Sequence, residues 1–248
     1  MGRPGQPVKP QRRYDASRRR DQARHRRDRI TDVAQRLFLR DGYGPTTVAA
    51  IAAQSGVSAD MIYKSFGGKP GLVRAIYQQA LQGQGPVPAE RRSDTVQARE
   101  RDPRKIIQAW GAFVTEIAPR AAPILLLVRA AASTDAEIQS LLQELDDQRL
   151  RRMTDNARRL HDAGHLRPGV TLAHAADVLW TYSSAELYEL LVLRRGMPLE
   201  QYGRFVASAM TDALLPSEPP RRPVMNTGGR RQPPSREQPR ERTDPDIR

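Results

Sequence analysis

The stretch Thr46-Thr47-Val48-Ala49-Ala50-Ile51-Ala52-Ala53-Gln54-Ser55-Gly56-Val57-Ser58, continued by Ala59-Asp60-Met61-Ile62-Tyr63-Lys64-Ser65-Phe66-Gly67-Gly68, holds two short helical patterns separated by one glycine. Thr46 suits an N-cap, because a threonine oxygen can accept from an unsatisfied N–H of the first turn. Val48, Ile51 and Ala52 mark one buried face, and Ala49, Ala52 and Ala53 are small enough for a second helix to approach closely. Gly56 permits a tight reversal at positive φ, Val57 plugs the turn, and Ser58 caps the second helix, which Gly67-Gly68 ends. Two short helices joined by a glycine-containing turn form a helix-turn-helix. In a DNA-binding version the first helix braces the phosphate backbone and the second lies in the major groove.

Outward from this pair the chain stays helical. Upstream, a helix is predicted from about Asp21, with Ile30, Val33, Ala34, Leu37 and Phe38 on one face. Arg24, Arg26, Arg27, Arg29, Arg36 and Arg40 fill much of the rest, and Asp41-Gly42 stops it. Downstream, 69–81 buries Leu72, Val73, Ile76 and Leu81. Gly83, Gly85, Pro86 and Pro88 make 83–102 a connector, and five more helices are predicted at about 103–118, 121–132, 134–164, 171–195 and 198–214. No segment alternates with period two, so the expected fold class is all-α. It comprises an N-terminal three-helix helix-turn-helix domain over 21–82 and a larger helical domain over 103–215. Residues 1–20 read as a disordered basic arm and 216–248 as a disordered tail rich in proline and mixed charge.

The charge favours polyanionic partners. Lys plus Arg number 41 against 28 Asp plus Glu, a net +13, in a chain of 248 residues with 38% apolar content. Nucleic acid, an anionic membrane surface and an acidic protein all fit that excess. The absence of cysteine excludes a disulfide framework, a thiolate nucleophile and cysteine metal sites, and is compatible with a reducing cytoplasm. No run approaches 18 uninterrupted apolar residues, so no membrane span is expected. The basic N-terminus lacks the apolar segment of a secretory signal.

The pattern Thr46-Thr47-Val48, Ile51-Ala52, Ser55-Gly56-Val57-Ser58, Ile62-Tyr63, Phe66, Lys69 and Leu72 resembles the N-terminal domain of the TetR family of transcriptional regulators. The specific likeness covers about residues 24–81. It implies a homodimeric repressor that binds a palindromic double-stranded DNA operator and leaves it when a small-molecule effector binds. It also implies phosphate contacts at Thr46 and Tyr63, and at Lys69 at the start of the fourth helix. The DNA-facing set becomes Thr46, Thr47, Ser58, Ala59, Asp60, Met61, Tyr63, Lys64 and Lys69. Asp60 can accept from a cytosine amino group or point away, and the alternative for Tyr63 is an ordinary core side chain. Ser65 stands where the family often has histidine, and Pro70-Gly71 replaces a more helical, acidic pair.

The resemblance places the dimer interface on the helices near 171–195 and 198–214. It places an effector cavity among 103–118, 134–164 and 171–195, with Trp110, Phe113, Met153, Trp180, Thr181 and Ser184 as candidate contacts for a largely hydrophobic ligand. Bulky apolar residues at helical spacing serve as plain core more often than as pocket walls. His161, His165 and His174 lack a matching acidic partner at metal-ligand spacing. No nucleophile elbow, phosphate loop or dinucleotide fingerprint is present, so no cofactor, metal or catalytic residue is expected. Two other classes remain: a helical enzyme of unknown type, and a non-specific basic nucleic-acid-binding protein.

Overall fold

The computed structural model describes residues 11–85 and 87–217, the side chains of 11–16 excepted; the predicted segments 1–10 and 218–248 lie outside the described residues. All regular structure among the described residues is helical. Helix α1 (Gln11–Asp41) leads to the short pair α2 (Val48–Ser55) and α3 (Ala59–Phe66), then α4 (Lys69–Gln82). Next come α5 (Ala89–Arg99) and two long helices, α6 (Pro103–Ala132) and α7 (Ala136–Asp162). The last group is α8 (Leu172–Tyr182), α9 (Ala185–Tyr188) running into a π-helical turn at Glu189–Arg194, and α10 (Leu199–Leu214).

The ends of these helices follow from their capping residues. Thr47, Ser58, Asp102, Asp135, Thr171 and Ser184 each sit in extended backbone and accept from an N–H of the first turn. The cap of α2 is therefore Thr47, not Thr46. Gly56 at φ +65° and Gly67 at φ +76° close α2 and α3 in the left-handed conformation.

Several predicted boundaries moved. Helix α1 begins at Gln11 instead of Asp21, because Gln, Arg and Ala are strong helix formers even where no apolar period marks the segment. The connector 83–102 contains α5, which charged side chains hold down, so hydrophobic periodicity could not reveal it. The segments 103–118 and 121–132 are one helix. Pro119 and Pro123 each remove a backbone bond, but burial of Ala121, Ala122, Ile124 and Val128 keeps α6 continuous. The predicted helix 171–195 breaks at Ser183-Ser184, where the Ser184 oxygen accepts from Leu187 N–H at 3.3 Å and starts a new turn.

Two apolar cores form, and the first crosses the expected domain boundary. It joins Ile30, Leu37, Phe38, Ile51, Ile62 and Leu72 of the N-terminal helices to Ile124, Val128, Ile138 and Leu141 of α6 and α7. The second gathers α6, α7, α8 and α10 around Ile107, Leu160, Leu179 and Val206. At about 45 Å long, α6 can serve both. Its length and apolar composition would suit a membrane span, but it lies at the centre of the fold, packed on α10, α7, α4 and α5. Helices α6 and α10 approach each other closely at two glycines. A Cβ at Gly111 would sit 2.6 Å from the Gly203 carbonyl oxygen, and one at Gly203 would sit 2.9 Å from the Gly111 oxygen.

Candidate nucleic-acid interface and internal cavity

Helix α3 buries one residue fully, Ile62, and turns Asp60, Tyr63 and Lys64 outward, with Ala59 and Met61 half-buried at its start. Tyr63 is 56% exposed, which excludes the core alternative for it. Val57 packs in the turn, and the α3 C-terminus is braced from α1: Arg27 donates to the Ser65 carbonyl at 3.2 Å and its guanidinium lies 4.4 Å from the Phe66 ring centre. Ser58 and Thr47 are exposed at the starts of their helices, with their oxygens engaged by Met61 N–H and Ala50 N–H. The pair thus presents one outward face carrying Thr47, Ser58, Asp60, Tyr63 and Lys64.

Two predicted phosphate contacts are differently placed. Thr46 is buried, and its hydroxyl is within hydrogen-bonding distance of the Gly42 carbonyl at 2.7 Å and the Leu37 carbonyl at 3.3 Å, so it locks the end of α1 and faces no solvent. The Lys69 ammonium donates to the Tyr43 carbonyl at 2.6 Å and the Gly44 carbonyl at 3.2 Å, and lies 4.2 Å from the Tyr43 ring centre. Desolvation holds its pKa below the ordinary lysine value, with the nearby Asp135 charge opposing that shift. Its charge is used inside the domain, joining the start of α4 to the loop after α1. Gly71, which departs from the acidic pattern, has a steric reason: a Cβ there would lie 1.5 Å from the Phe66 carbonyl oxygen. The α3–α4 junction closes only without a side chain at that position.

Between α4 and the C-terminal helices lies a cavity of about 430 Å³, within the range of small-molecule sites. Trp110, Phe113, Met153 and Ser184 line it as anticipated, together with Tyr77 and Leu81 from α4, Asn156 from α7, and Tyr202 and Met210 from α10. Trp180 and Thr181 do not line it. Leu179 turns towards the cavity, so Trp180 is rotated away to stack under the Arg149 guanidinium, 4.6 Å from the ring centre, and Thr181 is exposed. Sequence reasoning missed Tyr77, Asn156, Arg149 and Tyr202. A buried asparagine on the apolar face of α7 was the one legible hint. Asn156 accepts from Gln97 of α5 at 3.2 Å. Burial pushes the Tyr77 hydroxyl up to about 12 and raises that of Tyr202 further.

Helix α5 contributes Ala89, Glu90 and Ser93 to the cavity wall and is strapped to both α6 and α7. It buries only Ala89 and Ser93. On one side Arg92 meets Glu116 at 2.6 Å; on the other Asp94 meets Arg152 at 2.9 Å and Arg159 at 2.7 Å. Glu116 also accepts from Gln84 N–H, just past the end of α4. Among the described residues no group of three or more His, Cys, Asp or Glu is arranged to hold a metal ion.

Residues 30–76 match the sequence profile of bacterial regulatory proteins of the tetR family. A curated relative, the uncharacterized HTH-type transcriptional regulator YvkB of Bacillus subtilis, is 37% identical over 59 residues, an alignment spanning 24% of this chain and 31% of that protein. Solved structures resemble the chain over much more of its length. The fatty acid degradation regulator FadR from Bacillus halodurans superposes with a TM-score of 0.61 at 16% identity, covering 75% of this chain and 94% of its own. NalD, described as the secondary repressor of the MexAB-OprM multidrug efflux pump in Pseudomonas aeruginosa, superposes with a TM-score of 0.58 at 19% identity, covering 78% and 98%. The specific likeness lies in α1 to α4, which carry the turn, the caps and the outward face of α3: over residues 30–76 the chain matches the N-terminal domain of the tetR family of bacterial regulatory proteins, and beyond it the similarity to solved structures is one of fold.

Proposed function

We propose that this regulator is a repressor that binds a palindromic operator as a homodimer and is released by a small, largely apolar effector in the α4–α10 cavity. One observation carries the coupling: α4 starts directly after the outward-facing α3, and its other half supplies Tyr77 and Leu81 to the cavity wall. A ligand that displaces those two side chains moves the helix on which the reader is mounted. Release follows if the liganded dimer no longer holds its two α3 helices at the spacing of successive major grooves, about 34 Å. Dimerisation is supported by the apolar side chains that the π-helical turn after α9 and helix α10 leave outside: Leu190 and Leu193 are more than half exposed and Phe205 is 42% exposed. A symmetric pairing of these helices covers them. Such a protein works on DNA in the cytoplasm, performs no turnover and needs no cofactor.

The test is selection of duplexes from a random pool with the full chain, followed by footprinting. A repressor enriches a palindrome and protects it. Indiscriminate protection would leave a non-specific basic DNA-binding protein. An apolar compound panel screened against the selected duplex then tests release. Effector binding must be weakened by operator as much as operator binding is weakened by effector, so an effector affinity that is the same with and without operator would overturn the coupling.

A further inference from the structure

Helix α1 continues well beyond the core it serves. From Ser17 to Arg29 every residue is exposed and Ala23 is the only apolar one. This extension is about 20 Å long at the α-helical rise. It holds seven Arg, at 18, 19, 20, 24, 26, 27 and 29, against Asp21 and Asp28.

The charges are sorted by face. Positions 19, 23 and 26 continue the helical line of Ile30, Val33 and Leu37, the face that packs on the other N-terminal helices. Arg18 and Arg29 flank that line on one side, Arg20 and Arg27 on the other. Asp21 and Asp28 fall on the back of the helix, where Arg24 meets Asp21 at 2.6 Å. The root of this face lies against the helix-turn-helix at both edges. Arg27 is bonded to the end of α3, and a Cβ at Gly56, in the α2–α3 turn, would meet the Arg29 guanidinium at 4.0 Å.

We propose that this face of α1 is a second DNA contact, on the phosphates of duplex next to the segment that α3 enters. The inference rests on the reading that α3 faces DNA; it adds a sequence-independent contact outside the helix-turn-helix. The occupant is argued from charge. No apolar core packs on Ser17–Arg29, so burial of its own surface contributes little to holding this part of the helix. A row of phosphates offsets the excess of seven Arg over two Asp in this segment, and guanidinium forks match phosphate geometry.

The experiment measures the salt dependence of full-chain binding to a mixed-sequence duplex of about four helical turns. Arg18→Gln/Arg20→Gln/Arg26→Gln is compared with a charge-matched triple in the C-terminal helices, Arg158→Gln/Arg194→Gln/Arg195→Gln. All six positions are exposed, so folding is not at stake. The α1 triple is expected to lower the slope of log K against log salt by about two to three units, at roughly 0.9 per phosphate contact, and to leave the preference for a selected palindrome unchanged. The distal triple is expected to change the slope little. Equal effects of the two triples would reduce the extension to net charge and overturn the proposal. So would an α1 triple that keeps its DNA slope but loses binding to phosphatidylglycerol vesicles. If the unaltered chain binds no duplex at all, the regulator reading itself fails, an outcome distinct from either.

Discussion

Lys69 separates what a family pattern implies from what a side chain touches. As a phosphate contact, its loss would lower the salt slope of DNA binding by about one unit. In the fold its ammonium is within hydrogen-bonding distance of the Tyr43 and Gly44 carbonyls and stacks on the Tyr43 ring, which leaves it a brace between the end of α1 and the start of α4. Lys69→Ala is therefore expected to lower stability, by about 1–2 kcal/mol for hydrogen bonds from a charged group that is only partly buried, while the salt slope stays as it was. Thermal melting and a salt titration on the same variant check both halves; a one-unit fall in slope with unchanged stability would restore the phosphate role. Thr46 follows the same logic. Its type and position in the sequence suited a cap, but Thr47 holds the cap and Thr46 the loop, and one residue of register decides between solvent and interior.

At the scale of the element, α5 is the helix held by charge. Burial raises the pKa of Asp94, but the hydrogen bonds from Arg159 and Arg152 outweigh it, so the carboxyl lies below its ordinary value. Glu116 is likewise lowered overall, with desolvation opposed by Arg92 and the Gln84 N–H. A carboxyl whose folded value is depressed contributes stability above its unfolded value and loses it as pH falls through the folded one. The strap is thus expected to be closed at neutral pH and to loosen in acid, below the ordinary carboxylate range. Asp94→Asn and Glu116→Gln are expected to loosen it at neutral pH. Hydrogen exchange over 89–99 reads this directly: protection there should fall in both variants while α6 and α7 keep theirs. Unchanged protection in both would show that the ion pairs do not hold α5. Periodicity could not have revealed this helix, since it buries only an alanine and a serine, whereas α2 and α3, with caps, turn and apolar face all in step, were legible to within a residue.

At the scale of the whole molecule, the exposed Leu190, Leu193 and Phe205 form the face that a second copy is proposed to cover. Leu190→Glu/Leu193→Glu is expected to shift the chain from dimer to monomer in sedimentation, with helical content retained because neither side chain is in the core. Loss of the second α3 should also abolish preference for a palindrome over a single half-site. A variant that stays dimeric would place the interface elsewhere. The two cores belong to this scale too. Because the first runs from α1 through α4 into α6 and α7, the helix-turn-helix is packed on the C-terminal helices and not tethered to them by the connector alone.

By itself the sequence determined the all-helical class, the helix-turn-helix with its caps and turn, and the outward set on α3. These are local: a cap, a glycine at positive φ and an apolar period act within a few residues of chain. Trp110, Phe113 and Met153 on the cavity wall were also legible, as large apolar residues on the inward faces of long helices. Only the tertiary structure decided that Trp180 stacks under Arg149, that Lys69 and Thr46 turn inward, that Gly71 is required by the Phe66 carbonyl, and that α6 runs through two prolines to join both cores. Each depends on a partner distant in sequence or on the packing of another helix. A side chain's orientation is set by which element lies across from it, and neither residue type nor spacing encodes that.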